Sequence, residues 1–361
     1  MEYKRKRRKL KRWQKILIGI LIFLVTFVLL VLAAFAIIRY LGKGQIMDAN
    51  AQGIPILESE ETGEDWQEGW VRHNGRIYAY NEDIMTFLIM GIDKEGEVET
   101  GEDGIDGGQS DAMFLAVMNP HTNTISIIAI NRNTMAMVDV YDTDGVYMGE
   151  YTKQICLQHG YGDGRAQSCE RAVAAVSRLF YQLPINGYVS INMDAIPELN
   201  DVVGGVEVTV LDDVVYPEYD MDLHAGDVVV LNGHQAYWYV RGRYEYVFNS
   251  TSLRLERQKQ YLTTFIAKAK QQALSNFSTA LNLYDTISRY MVTDIDFTKF
   301  TYLASEALSY DFNIEHLYTM EGETLLDEDN HEEFYVDNDA LYEMVLEVFY
   351  EPVEENAELE K

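Results

Sequence analysis

Apolar residues are concentrated in a few uninterrupted stretches of this 361-residue chain. The first stretch covers residues 16–38, where 23 consecutive positions carry no charge. Because a helix of about 20 apolar residues crosses the hydrocarbon core of a bilayer, this stretch predicts one N-terminal transmembrane helix. A signal sequence that is later removed is the alternative, although the stretch is long for one and no small-residue cleavage site follows it directly.

Shorter apolar runs further along the chain are bounded by turn residues and predict buried β-strands. They are FLIMGI at 87–92, MFLAVM at 113–118 and TISIIAI at 124–130. The turn sequence NPHTN separates the last two, which should therefore form a hairpin. Helical spacing up to Pro184 is followed by the strand-like GYVSINM, the short helix DAIPELNDVV and the strand-like GGVEVTV. This alternation predicts an α/β fold, with a mixed central β-sheet covered by helices on both faces.

The distribution of charge predicts how the apolar helix is oriented across the membrane. The first 15 residues contain nine Lys or Arg, whereas only Arg39 and Lys43 closely follow the apolar stretch. The positive-inside rule then places the N-terminus in the cytoplasm and the C-terminal domain outside the cell, on a single-pass protein of the cell membrane. The predicted organisation is a cytoplasmic basic segment at 1–15, the membrane helix at 16–38, a spacer at 39–80, an external domain at 81–350 and an acidic tail at 351–361.

The external part is strongly acidic, and this limits its partners. The chain has a formal charge of −29 and its first 38 residues contribute +8, which leaves −37 for the rest. Nucleic acid is therefore excluded as an expected partner, since its binding depends on basic surfaces. Export also permits a disulfide between Cys156 and Cys169. Two small apolar core residues are the equally open alternative.

Four arginines nevertheless lie within 17 residues of this acidic chain: Arg241, Arg243, Arg254 and Arg257. The segment LNGHQAYWYV predicts a helix that starts after Asn232 and carries the first two near its C-terminal end. A long helix at about 253–274 carries the other two, with Gln258 on the same face. Guanidinium groups this close favour a bound polyanion between them. The alternative is an amphipathic helix whose basic residues pair with surface acids.

Two carboxylates at strand ends are candidate magnesium ligands. Asp93 closes FLIMGID and Asp111 opens SDAMFLAV, so both should lie at one edge of the sheet, where Arg132 also points after its own strand. Carboxylates suit a hard cation such as Mg²⁺. The acidic loop between them lacks the ordered spacing of a calcium site, and we interpret it as a solvated loop.

Together these segments resemble the LytR-CpsA-Psr family of membrane-anchored cell-envelope phosphotransferases. The motifs in order are FLIMGID, SDAMFLAVMNP, NRNTM, DVVGGVEVTV, LNGHQAYWYVRGR and RLERQKQYL. The resemblance implies that Asp93 and Asp111 hold Mg²⁺. It implies that the diphosphate of a polyprenyl-diphosphate-linked glycan is contacted by Arg132, Arg241, Arg243, Arg254 and Gln258, with Arg257 nearby. It also implies a hydrophobic groove for the prenyl chain and attack by a peptidoglycan hydroxyl on the phosphoryl group that bears the glycan.

Three departures from the family pattern bear on activity. Gln109 occupies a position where family members commonly have an arginine. Asn133 follows Arg132 where the family commonly has an aspartate. The polar run 249–252 occupies the place of an acid that often precedes Arg254. We keep Gln109 and Asn133 as substrate-binding candidates. The alternative function is a catalytically weak or inactive member that binds or hydrolyses polyprenyl diphosphate. A DNA-binding regulator is disfavoured, because 15 cytoplasmic residues are too few for such a domain. Whether the glycan is teichoic acid, capsule polysaccharide or another polymer stays open.

Overall fold

The computed structural model of this chain describes residues 12–50, 53–59, 66–98, 107–244, 246–312 and 316–353. Within these ranges the α-helices are α1 Arg12–Asn50, α2 Leu157–Gly160, α3 Ala166–Leu179, α4 Ala195–Val202, α5 Gly233–Arg241, α6 Ser250–Ser275, α7 Phe277–Ser288, α8 Phe297–Ala307 and α9 Asn338–Phe349. The strands are β1 Trp70–His73, β2 Arg76–Tyr80, β3 Met85–Ile92, β4 Ser110–Asn119, β5 Thr124–Ile130, β6 Met135–Tyr141, β7 Tyr147–Gln154, β8 Gly187–Asn192, β9 Val206–Thr209, β10 Val214–Tyr216, β11 Met221–Leu223, β12 Val228–Leu231, β13 Met291–Thr293, β14 Leu317–Thr319, β15 Gly322–Leu326, β16 Glu332–Val336 and β17 Tyr350–Pro352.

Six strands form the central sheet, in the order β13-β8-β3-β4-β5-β14. β4 is antiparallel to both β3 and β5, and β13 is antiparallel to β8. β8 runs parallel to β3, and β14 runs parallel to β5, so the sheet is mixed. The predicted fold class is confirmed, and the antiparallel β4–β5 pair is the predicted hairpin.

Apolar side chains cover both faces of this sheet, because successive residues of a strand point to opposite sides. Leu88 of β3 packs in one apolar cluster with Val176 of α3 and residues of α9. Its neighbour Phe87 packs in a second cluster with Leu255 of α6 and Tyr302 of α8. Helices therefore cover both faces. This double burial explains why the strands read as continuous apolar runs in the sequence.

A second, smaller core lies beside the central sheet. The segment GGVEVTV forms β9, which pairs with β12 in a separate two-stranded sheet. Val206 and Val208 of β9 are buried with Tyr239 of α5 and Tyr261 of α6. This core holds α5 against α6. Helix α6 begins at Ser250, three residues before the start predicted at about 253, so most of the polar run 249–252 is its first turn.

Helix α1 continues well beyond the predicted membrane segment. Its part from Ile22 to Asp48 is long and apolar enough to cross a membrane, by length and composition. The helix then docks on the domain. Ile46 is fully buried, and a Cβ atom on Gly42 would lie 2.1 Å from the backbone oxygen of Thr298, so only glycine allows this close approach to α8. Because this packing extends the helix, residues 39–50 differ from the spacer expected there.

The other end of the expected spacer also has regular structure. β1 and β2 form a hairpin, and β2 pairs with β17 near the C-terminal end of the described chain. The alternating pattern of these short strands is too brief to stand out in the sequence. Residues 1–11 of the basic segment and residues 354–361 of the acidic tail lie outside the described residues.

The two cysteines are buried free thiols, and each is fully shielded from solvent. Burial raises the pKa of Cys156 to about 11 and that of Cys169 to about 12. Both therefore stay protonated at neutral pH. The sequence left open a disulfide or two small apolar core residues, and the structure shows the second.

Candidate active site

Strand register brings an aspartate and an arginine together at one edge of the central sheet. In the β4–β5 pair Met113 lies opposite Ile130, and continuing that register by two residues places Asp111 opposite Arg132. The Oδ1 atom of Asp111 lies 3.0 Å from Nε of Arg132. Its Oδ2 atom accepts a hydrogen bond of 3.0 Å from Nη1 of Arg254 on α6. One carboxylate thus bridges two arginines that are 122 positions apart in the chain.

Burial makes this cluster electrostatically unusual. Arg254 is only 3% exposed. Burial lowers the pKa of Arg254 to about 10; the charge of Asp111 opposes this shift, and the nearby charges of Arg132 and Arg243 add to it. The Nη2 atom of Arg254 is buried and has no hydrogen-bond partner among the described residues. An unpaired buried guanidinium nitrogen is costly, and an anion with acceptor oxygens would satisfy it.

Arg241 and Asp93 form a second ion pair at the same edge. Asn232 caps α5 as expected, with its side chain and that of Gln235 forming a capping box. The helix ends at Arg241, whose Nη2 donates a 2.8 Å hydrogen bond to Oδ1 of Asp93. Asp93 in turn donates its backbone N–H to the carbonyl of Gln109. The two predicted metal ligands are therefore on adjoining strand ends, and each of them pairs with arginine.

Arg243 and Asn133 meet at the first turn of α6, whereas Gln109 contacts Arg132. Arg243 donates a 3.3 Å hydrogen bond to the hydroxyl oxygen of Thr251, which also accepts one of 3.2 Å from the amide of Asn133. Gln109 accepts a hydrogen bond from Arg132. The amide oxygen of Asn133 is buried without a hydrogen-bond partner in the described part of the chain. Gln109 and Asn133 thus hold the arginines in place but add no charge.

Arg257 and Gln258 lie on α6 but their polar atoms are used elsewhere. Arg257 donates to the backbone carbonyl of Gly242 and lies 3.4 Å from Asp212. Gln258 donates a 3.0 Å hydrogen bond to the carbonyl of Val240. Both therefore satisfy carbonyls at the C-terminal end of α5, which a helix leaves without partners. Their predicted contact with a substrate stays a prediction.

A polar cavity of about 1140 Å³ lies over the arginine cluster. Arg132 and Arg243 both line it, so the structure brings together these two arginines from distant parts of the chain. The opposite wall was not expected from the sequence. It comes from the β15–β16 hairpin and includes Leu326, Asp327, Asn330, His331, Glu332 and Glu333.

Glu332 links this hairpin to the arginine cluster. Its carboxylate accepts the backbone N–H groups of Ser250 at 3.0 Å and of Thr251 at 3.3 Å. Asn249, at the start of α6, makes no side-chain capping hydrogen bond. Glu332 thus caps α6 from a distant segment. The missing local cap is a weak signal that some acid must come from elsewhere, and the sequence gives no indication of which one.

The turn of the same hairpin gathers three side chains that can bind metals. The ligand atoms of Asp327, Asp329 and His331 lie within 4.8 Å of one another. Asp329 and His331 are exposed, and Nδ1 of His331 lies 3.1 Å from Asp327. Exposed clusters of this kind are common on protein surfaces, and we assign no ion to this one.

An apolar cavity of about 170 Å³ lies further along α6. The sheet contributes Ile89 and Phe114, α6 contributes Phe265, and α7 contributes Ile287. Gln258, one helical turn after Arg254, is also on its wall. The polar cluster and the apolar cavity are therefore separated by about one turn of α6.

The donor set at the sheet edge fits a hard divalent cation in the presence of phosphate. Mg²⁺ is usually bound by one or two carboxylates together with substrate phosphates and water. Asp93 is partly exposed and only its Oδ1 pairs with Arg241. Asp111 is already shared by two arginines, so it offers its remaining lone pairs. Asp93 and Asp111 could thus hold Mg²⁺ only with further oxygens from a ligand.

Comparisons with known proteins identify the family of this chain. The sequence profile of the LytR_cpsA_psr family matches residues 54–348, which is most of the chain. A relative from Enterococcus faecalis, named polyisoprenyl-teichoic acid–peptidoglycan teichoic acid transferase TagU, is 30% identical over 223 residues. That alignment covers 62% of this chain and 65% of the relative, which is less than two thirds of its length.

Solved structures share the fold at lower sequence identity. The structure of TagV from B. subtilis matches with a TM-score of 0.55 and 24% identity, over 73% of this chain and 94% of that one. The structure of protein gbs0355 from Streptococcus agalactiae matches with a TM-score of 0.58 and 22% identity, over 75% of this chain and 90% of that one. At these identities the likeness shows the fold alone.

Proposed function

Because the chain belongs to the LytR-CpsA-Psr family, we propose that it transfers a glycopolymer from a polyprenyl diphosphate carrier to a hydroxyl group of peptidoglycan, forming a phosphodiester. The observation that carries this proposal is the buried Nη2 atom of Arg254, which has no hydrogen-bond partner among the described residues and belongs to a side chain close to Arg132 and Arg243, the two arginines that line the polar cavity. A diphosphate supplies the acceptor oxygens that this atom lacks. The name of the E. faecalis relative supports a teichoic acid as the glycopolymer.

The arginines would bind and orient the diphosphate. Arg132 and Arg254 are held by Asp111, and Arg243 is held by Thr251, so their planar donors are fixed before a ligand arrives. Fixed donors stabilise developing charge without reorganising during the reaction. The prenyl chain, which leads away from the diphosphate, would enter the apolar cavity one turn along α6.

Asp93 and Asp111 would hold Mg²⁺ against the diphosphate oxygens, and a bound divalent cation neutralises charge and improves the leaving group. In the reaction itself, the hydroxyl oxygen of the acceptor forms a new bond to the phosphorus that carries the glycan. The bond from that phosphorus to the bridging oxygen breaks, and polyprenyl phosphate leaves with the electron pair. The hydroxyl proton passes to the solvent or to a carboxylate of the cavity wall.

Membrane anchoring is part of the same proposal. The helix at Ile22–Asp48 would hold the domain outside the cell beside the bilayer that carries the lipid substrate. Nine basic residues before the apolar stretch favour a cytoplasmic N-terminus. A protease added to intact cells should remove the domain and leave a short anchored stub.

The direct test uses the full-length chain in vesicles with Mg²⁺, a radiolabelled polyprenyl-diphosphate-linked teichoic acid precursor and peptidoglycan. We expect label to become attached to peptidoglycan and polyprenyl phosphate to be released in equal amounts. Arg243→Ala should abolish both products. Label that stays on the carrier under these conditions would contradict the proposal.

The alternative, a weak or hydrolytic member of the family, is favoured by Gln109 and Asn133, which take the places of charged residues. Release of polyprenyl phosphate without labelled peptidoglycan would support it. Since Gln109 already contacts Arg132, Gln109→Arg tests whether added charge matters. If transfer is the native reaction, Gln109→Arg together with Asn133→Asp should raise its rate.

A further inference from the structure

An exposed aromatic patch surrounds the point where α1 meets the domain. Phe297 and Phe300 of α8 are 67% and 41% exposed, and Tyr284 of α7 is 47% exposed. The rings of Tyr284 and Phe300 lie 5.5 Å apart. On α1 itself, Tyr40 is 78% exposed. Grouped exposed aromatic side chains of this kind are typical of an interaction surface, unlike isolated ones.

The docking of α1 fixes the height of this patch relative to a membrane. Gly42 contacts the backbone of Thr298, the residue next to Phe297. Gly42 lies four residues after Ile38, the last residue of the uncharged stretch. Four residues correspond to about 6 Å along a helix. The polar interface of a bilayer is about 5 to 7 Å thick on each side, so the patch lies at its level.

The polar groups nearby agree with this depth. Lys299 on α8 and Lys43 on α1 are close neighbours of the aromatic residues in the chain, and Asp296 caps α8. A surface buried in hydrocarbon would exclude such charges, whereas the headgroup region accepts both charges and aromatic rings. The contacts of α1 with α8 also hold the patch rigidly, since Thr298 donates a 2.7 Å hydrogen bond to Gln45.

We propose that Tyr40, Tyr284, Phe297 and Phe300 form a membrane-contact face that rests in the headgroup layer of the bilayer in which α1 is anchored. This inference rests on the membrane anchoring proposed above. The face adjoins the apolar cavity, because Ile287, one turn after Tyr284 on α7, lines it. The contact would turn the cavity toward the bilayer, so that a prenyl chain can pass from the lipid into the protein with little exposure to water.

A spin label tests the contact without using enzymatic activity. Cys156 and Cys169 are fully buried, so a nitroxide reagent should label only an introduced cysteine. Full-length Phe297→Cys and the control Val228→Cys, at a 68% exposed position of β12, are labelled in vesicles of phosphatidylcholine and phosphatidylglycerol. We expect collisions with oxygen to exceed those with a water-soluble nickel chelate at position 297, and the reverse at position 228.

Equal accessibility at the two positions would overturn the inference. A label at 297 in contact with lipid, in a protein without transferase activity, would leave the face standing and remove the proposed function. Transfer activity together with a water-exposed label at 297 would overturn the membrane-contact face and leave the proposed function standing. As a second measurement, Phe297→Ser with Phe300→Ser should raise the KM several-fold for a long-chain substrate in vesicles. It should leave the KM for a water-soluble short-chain analogue unchanged, and a rise for both substrates would contradict the inference.

Discussion

Arg254 and Arg257 lie one turn apart on α6, both almost fully buried, yet they belong to different parts of the molecule. Arg254 contacts Asp111 at the edge of the central sheet, and its Nη2 atom has no hydrogen-bond partner among the described residues. Arg257 contacts Asp212 and the carbonyl of Gly242, beside the small β9–β12 sheet. The first arginine is placed for a ligand, and the second connects two parts of the fold.

The difference shows that a cluster of like residues in sequence need not be one site. Helix α6 lies between the polar cluster and the second core, so residues a turn apart reach separate surroundings. Each arginine has one buried nitrogen without a hydrogen-bond partner among the described residues, but Nε of Arg257 lies 3.4 Å from the carboxylate of Asp212, so the protein supplies the anion there. Arg254 instead lies near Arg132 and Arg243, and a buried donor in a cluster of like charges is more readily explained by a bound anion than one that faces a carboxylate of the protein.

The largest expected effect separates the two arginines by activity. Arg254→Met should lower the rate of transfer by about a hundredfold to a thousandfold, the usual loss when one fixed donor to a developing charge is removed. The measurement is incorporation of labelled glycan into peptidoglycan. Arg257→Met is the matched control and should keep nearly the full rate per folded molecule. Equal losses in the two variants would remove the distinction between them.

Stability should show the opposite order. Arg257→Met leaves the carbonyl of Gly242 unpaired and Asp212 without its cation, so the free energy of unfolding should fall by about 3 kcal/mol. Arg254→Met should cost less, because Arg132 still neutralises Asp111. Denaturant unfolding of both full-length variants in detergent, followed by tryptophan fluorescence, compares them directly. A more stable Arg257→Met than Arg254→Met would contradict this order.

A smaller effect is expected at the cap of α6. Glu332→Gln keeps the shape of the side chain but removes the charge that accepts the N–H groups of Ser250 and Thr251. Loss of a cap of this kind costs about 1 kcal/mol. Because Thr251 also orients Arg243, the KM for the lipid substrate should rise as well. Glu323→Gln, at an exposed position of β15 that does not line the cavity, is the control and should leave the KM unchanged.

The smallest expected effect is a pH dependence of the free energy of unfolding. It should arise near the sheet edge that Arg254 contacts, and not in the surroundings of Arg257. His159 is buried, and burial lowers its pKa from the ordinary 6.5, while Nδ1 lies 3.1 Å from the carbonyl of Gly108 in the loop before Gln109. Below pH 6.5 His159 becomes protonated in the unfolded chain while it stays neutral in the folded protein. The free energy of unfolding therefore falls as pH decreases.

The slope from one such group is at most about 1.4 kcal/mol per pH unit. His159→Asn should remove this contribution, which is measured as a flatter dependence of unfolding free energy on pH between pH 7 and pH 5. The Arg257→Met variant should keep the slope of the unmodified chain. An unchanged slope in His159→Asn would show that another group is responsible.

Local sequence patterns predicted much of the fold. The runs at 87–92, 113–118 and 124–130 became β3, β4 and β5, because strands buried on both faces are continuously apolar. Asn232 marked the start of α5, because a capping side chain acts within three residues. The hairpin also placed Arg132 at the same edge of the sheet as Asp111, as expected. Each of these features depends on neighbouring residues or on one short turn.

What the sequence did not indicate depends on distant contacts. The sequence around Gly42 did not predict that α1 continues and packs on α8. The reason for a glycine there depends on the position of Thr298, which only the folded structure shows. Arg257 could not be distinguished from Arg254 by spacing, because its partner Asp212 lies in another core. The choice of Glu332 as the cap of α6 likewise depends on how the β15–β16 hairpin folds back.

The cap at α6 also has a consequence for the order of events during synthesis. The N–H of Ser250 donates to a carboxylate that lies 82 positions later in the chain. On the topology proposed above, the N-terminus stays in the cytoplasm and the chain after α1 is exported in order, so the arginines would be outside the cell well before the hairpin that completes their setting. We expect the chain to become able to bind a ligand at this site only when nearly all of it has been released, so that a half-exported molecule would not bind the proposed lipid substrate.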